Sequence, residues 1–69
     1  MIAPGSLATL RVAAAVYDVP GDRGTRIRVL EAPHLVLVIA AGARPWLMVI
    51  GEGILGWLQE GWWLAEVGG

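Results

Sequence analysis

The chain contains no cysteine, which excludes disulfides and thiolate metal sites and leaves the redox compartment unread. Its one histidine, His34, is too little for a zinc centre, which as a rule takes four protein or water ligands. Lysine is missing too, so that arginine supplies all five basic side chains. Only 16% of the residues are charged, against roughly 25% in ordinary soluble domains. The net charge of −1 provides no global attraction to nucleic acid or to anionic lipid. Long hydrophobic runs are absent as well: the longest uncharged apolar run, Leu35 to Ala43, falls far short of the ~20 residues of a membrane-spanning helix. No basic segment opens the chain, and Arg11 interrupts the apolar stretch that a signal peptide requires. The expectation is cytoplasmic synthesis without an export signal, which is compatible with later incorporation into a virion or other particle.

What the chain does have is apolar surface. Of its 69 residues, 57% are hydrophobic. A domain of this size buries only about 60% of the surface that its unfolded chain exposes, and small scaffolds usually need a staple. With disulfides and metal set aside, association with a protein partner is the staple left. Contiguous apolar surface that cannot be hidden inside usually marks a contact site. The competing reading is an unusually apolar monomer. The composition shows no repeat, low-complexity tract or linker, so we divide the chain into an arm (1–6), one domain (7–67) and a fraying end (68–69).

Arg44 to Leu64 holds all four tryptophans and the most specific pattern. Trp46, Met48 and Ile50 alternate with Leu47 and Val49, then Gly51-Glu52-Gly53 breaks the run, and Ile54 to Leu58 follows. That pattern predicts a β-hairpin with a short loop. A helix over Ile54 to Val67 is the rival, because Leu55, Leu58 and Trp62 recur at helical spacing. Gly56 and Gly61 would each cost it about 1 kcal/mol relative to alanine, and clustered tryptophans suit a pleated surface. We therefore read strand, with a tight turn near Gln59-Glu60-Gly61.

Upstream, Pro4-Gly5 makes Met1 to Ser6 a short arm of low order. Leu7 to Val12 alternates, with Leu10 and Val12 on one side and Thr9 and Arg11 on the other, as in a half-buried strand. Ala13 to Ala15 suits a helix equally, but the following Val-Tyr-Asp-Val-Pro favours extension. Asp18 to Thr25 carries Pro20-Gly21 and Gly24 and is the clearest loop. Arg26 to Leu30 is expected to alternate with Arg26 and Arg28 out and Ile27 and Val29 in. His34 to Ala40 suits a central strand buried on at least one face. Five short strands result, with turn signals at roughly ten-residue intervals, which argues for an all-β barrel or sandwich.

Several of these residues together resemble the Src-homology-3 (SH3-like) family. Ala15-Val16-Tyr17-Asp18 is similar to the Ala-Leu-Tyr-Asp motif that opens that family's first long loop. Trp46, the glycine-flanked turn and Gly56-Trp57-Leu58 resemble its third and fourth strands, the last close to the Gly-Trp-Val of bacterial members. The resemblance spans about Leu7 to Val67. It implies a five-stranded small barrel with a long first (RT-type) loop and a short 3₁₀ turn before the last strand. It also implies a peptide groove in which Tyr17, Trp46 and Trp62 supply aromatics and Asp18 and Asp22 receive a basic flank. Two walls of that groove depart from the pattern: Val19 stands for a tyrosine and Gln59 for a proline.

Catalysis finds no constellation. His34 opens an apolar strand, Ser6 lies in the arm, and neither Thr9 nor Thr25 has a base nearby in sequence. The carboxylates are scattered, and Asp18 and Asp22 read as solvated or neutralised by Arg23 and Arg26. No phosphate loop is present, since Gly51-Glu52-Gly53 lacks a following helix and Lys-Ser/Thr. Arg23, Arg26 and Arg28 form a modest basic patch, for which a solvated loop outweighs nucleic-acid binding. The expected function is therefore a non-enzymatic interaction or structural subunit without cofactor or metal. It would dock on other protein subunits, in a larger complex or a homo-oligomer, through Tyr17, Asp18, Asp22, Arg44, Trp46 and Trp62. A connector, tail or decoration component of a bacteriophage virion is one setting. A free module binding cell-wall or proline-rich peptides is the alternative.

Overall fold

The computed structural model describes residues 2–67; Met1 of the arm and the terminal Gly68-Gly69 lie outside the described residues. Seven β-strands form where the sequence reading expects five. They are β1 (Leu7–Leu10), β2 (Ala14–Tyr17), β3 (Arg26–Leu30), β4 (His34–Ala41), β5 (Trp46–Gly51), β6 (Ile54–Gln59) and β7 (Leu64–Glu66). The two extra strands are the arms of the Asp18–Thr25 loop, which pair with each other as an antiparallel ladder. No helix is present among the described residues, so the helical rival for the last third is excluded.

All seven strands belong to one antiparallel sheet, in the order β3-β2-β6-β5-β4-β1-β7. The end strands β3 and β7 do not pair, and the sheet is therefore open rather than a closed barrel. The β5–β6 hairpin is the most regular part, pairing Trp46 with Gln59 through Gly51 with Ile54. Its loop is two residues, Glu52 and Gly53, both at positive φ (53° and 73°), the backbone signature of a type I′ turn. Gly51, expected in the loop, ends β5 instead.

The inward residues make one core: Ile2, Ala8, Leu10, Val16, Leu30, Val36, Val38, Leu47, Val49, Leu58 and Leu64, with Ala14 and Trp63 packed against it. It contains no buried polar or charged residue among those described. Each fully buried leucine or valine in it contributes about 1.5–3 kcal/mol over its exposed state. Leu10 faces Leu64 across β1 and β7, and Leu47 faces Leu58 across β5 and β6, so the core runs the length of the sheet.

Three expectations are corrected. The arm is not loose from Ile2 onward. The Gly5 amide donates to the Val38 carbonyl (2.7 Å), the Val38 amide donates to the Ser6 carbonyl (2.9 Å), and Ile2 is 5% exposed. An apolar side chain that reaches the core offsets the entropy of ordering a few residues. In β3 the expectation holds only in part. Arg26 and Arg28 are exposed, but so are Ile27 and Val29, and Leu30, opposite Ala14, is the strand's residue that enters the core. Ile27 is an extra residue in that ladder, since Val16 pairs with Arg28 and Tyr17 with Arg26. Both Ile27 and Val29 are exposed on β3, which is an edge strand of the sheet. Val12 is likewise exposed: β1 ends at Leu10, so the alternation does not carry it inward.

Candidate functional site: an outer apolar face with an aromatic corner

An antiparallel sheet with one packed face usually presents polar side chains on the other. Here the other face is apolar too. In β4, Leu35 and Leu37 point away from the core residues Val36 and Val38; in β5, Trp46, Met48 and Ile50 point away from Leu47 and Val49. In β6, Leu55 and Trp57 oppose the inward Gly56 and Leu58. The strand register joins these residues into rungs. Leu7 lies opposite Leu37, Leu37 opposite Ile50, and Ile50 opposite Leu55. Four adjacent strands thus carry one unbroken aliphatic row, each member between 36% and 55% exposed. A second rung runs from Ala40 through Met48 and Trp57 to Tyr17. No charged residue occupies a position in either rung.

The aromatic corner adjoins the second rung. The Tyr17 and Trp46 rings meet edge to face, with centroids 5.5 Å apart and planes at 90°, a geometry worth about 0.5–1.5 kcal/mol beyond area burial. Tyr17 reaches it from the end of β2, whose ladder pairing with β6 is the Tyr17–Trp57 pair. On its other side, Tyr17 lines a shallow groove of about 220 Å³ with Val12 to Ala15, Leu58, Gln59 and Trp63. Trp46 lines a separate crevice with Ala41, Gly42, Arg44, Pro45, Leu47 and Glu60.

Of the six residues singled out from sequence, the structure therefore joins Tyr17 to Trp46 and sets Arg44 beside Trp46. Asp18 has a loop-closing role. Its Oδ1 accepts from the Val19 and Thr25 amides (both 2.7 Å), and its own amide donates to the Thr25 carbonyl (3.0 Å). These backbone partners, rather than Arg23 or Arg26, engage it. Asp22 is exposed at the tip of the same loop. Arg28 pairs with Glu52 (2.9 Å) between β3 and the β5–β6 turn, with Glu52 also 3.9 Å from His34 Nδ1. Both partners are well exposed, so the pair adds at most about 1 kcal/mol.

Trp62 is 69% exposed and stacks edge-on against Trp63 (5.9 Å) rather than on Tyr17 or Trp46. Trp63, not Trp62, lines the groove. Its indole Nε1 donates to the Gln59 carbonyl (2.8 Å), and the next residue, Leu64, is locked into the core. The sequence reading also missed the aliphatic row. A signal for it exists: β4 and β5 are apolar at both parities, with no polar residue from Leu35 to Ala41 or from Trp46 to Gly51. Among the described residues no cluster of three or more His, Asp or Glu side chains is arranged to hold a metal ion. No family model, curated protein or solved structure matches this chain.

Proposed function

We propose that this chain is a non-catalytic SH3-like subunit that docks on a protein partner through its outer apolar face and aromatic corner. The observation that carries the reading is the uncharged row of Leu7, Leu37, Ile50 and Leu55 across four adjacent strands. Exposed apolar surface of this continuity is rare on monomers unless it serves contact. Three features support the SH3-like part. With β2 and β3 taken as the arms of the long loop, five strands remain. The β5–β6 hairpin opens with Trp46, and the turn before β7 is closed by an i→i+3 bond from the Leu64 amide to the Gly61 carbonyl (3.0 Å). A bacteriophage connector, tail or decoration component is one setting for such a subunit.

The free peptide-binding module remains the second reading, favoured by the groove that Tyr17 shares with Trp63 and Gln59. Light scattering of the isolated chain, combined with co-purification from its native source, separates the two. The docking reading expects association with copies of itself or with a defined subunit, abolished by a charge placed at Leu37. A monomer that recovers no partner, yet binds an extended peptide displaced by Tyr17→Ala, would replace it with the module reading.

A further inference from the structure

We infer that the outer face of β1, β4, β5 and β6 pairs with the same face of a second copy of this chain across a two-fold axis. The inference rests on the docking reading and names its occupant. The exposed side chains of Leu7, Leu35, Leu37, Ile50 and Leu55 offer on the order of 400 Å² of apolar surface per copy, so two copies supply about 800 Å² of the ~1,000 Å² that a specific interface needs. Half-buried Met48 and Trp57 continue the patch toward the Tyr17–Trp46 corner and extend the area that a partner covers.

Charge selects the occupant. In an isologous contact every residue near the axis meets its own copy. A charged side chain there faces a like charge, whereas leucine faces leucine without penalty. The rungs carry no charge at all, which suits self-pairing. A heterologous partner usually draws its register and steering from complementary charges, and this face provides none. The other route to a dimer, edge-to-edge pairing of β3, meets the opposite condition. Arg26 and Arg28 sit on that strand, so antiparallel self-pairing brings guanidinium groups together, a common guard on open sheet edges. Pairing of the outer faces also supplies the staple that a cysteine-free chain of 69 residues otherwise lacks.

Sedimentation velocity on the full chain, from low micromolar to several hundred micromolar, tests this. The expected result is a concentration-dependent dimer. Leu37→Glu enters each dimer twice, at the middle of the row, and is expected to raise the dissociation constant at least about 100-fold. Leu37→Thr, which keeps a strand-forming side chain, is the check should the glutamate variant fail to fold, with an expected rise of about 10-fold. Val19→Glu, on the exposed long loop, is expected to leave association unchanged. A dimer indifferent to both Leu37 variants would overturn the inference. So would a wild-type monomer throughout the range. If that monomer still recovers a distinct subunit that Leu37→Glu loses, the second-copy assignment fails alone; if it recovers nothing, the docking reading fails with it.

Discussion

Replacing Gly56 by alanine sets local preference against packing, and the structure decides the sign. Glycine in a strand interior is worse than alanine by about 0.5–1 kcal/mol on conformational entropy, so sequence alone predicts that Gly56→Ala stabilises. In the fold, Gly56 is buried in β6 where β2 crosses it. A Cβ there would lie 2.3 Å from Val16 Cγ1, 3.0 Å from the Tyr17 carbonyl oxygen and 3.3 Å from Ile27 Cδ1. Val16 is itself a core residue, 1% exposed, and the Tyr17 oxygen is backbone, so neither yields cheaply. Overpacking of this kind costs about 1–3 kcal/mol. The net expectation is a loss of about 1–2 kcal/mol, a large share of the roughly 3–10 kcal/mol that a chain of this length holds. Urea unfolding followed by far-UV circular dichroism is the assay, with a lower midpoint at unchanged slope and a melting temperature about 5–15 °C lower. Val16→Ala removes the nearest methyl, so the double variant is expected to be less destabilised than the sum of the singles by about 1 kcal/mol. A Gly56→Ala protein as stable as the parent, or strict additivity in the double variant, would refute the close approach of β2 and β6.

The adjacent tryptophans are expected to behave oppositely on melting. Trp62→Ala stays within about 0.5 kcal/mol of the parent, while Trp63→Ala, which loses core packing and the bond to Gln59, costs about 3 kcal/mol or more. Ile2→Ala is expected to lower stability by about 2 kcal/mol or more in chemical denaturation, whereas an unstructured arm predicts no change. Asp18→Ala is expected to cost about 1 kcal/mol and to speed amide exchange at Val19 and Thr25, with Asp18→Asn, which keeps Oδ1, close to the parent; equal exchange in both variants would remove the loop-closing role.

The groove and the corner were partly legible in advance. Tyr17 and Trp46 stand out as aromatics beside turn signals, and the structure does bring their rings together. The choice between Trp62 and Trp63 was not legible, because two neighbouring residues on a turn differ only in which one the anchored Leu64 carries inward. Asp18 shows the same limit. An aspartate in a loop reads equally as a solvated acid or as a cap on nearby amides, and only the folded loop places the Val19 and Thr25 amides on its Oδ1.

By itself the sequence determined the all-β character, the hairpin around Glu52-Gly53, the long loop at Pro20-Gly21 and the exclusion of disulfides. Each of these follows from backbone sterics or side-chain chemistry acting over a few residues. Tertiary structure alone decided the open sheet of seven strands, the docking of Ile2, the exposure of Ile27 and Val29, and the joining of the outer apolar residues into one row. Side-chain direction in a strand has a period of two, so one extra residue such as Ile27 reverses which face a side chain takes. That register is set by partners far along the chain, Leu30 against Ala14 and Leu37 against both Leu7 and Ile50, and no local pattern specifies them.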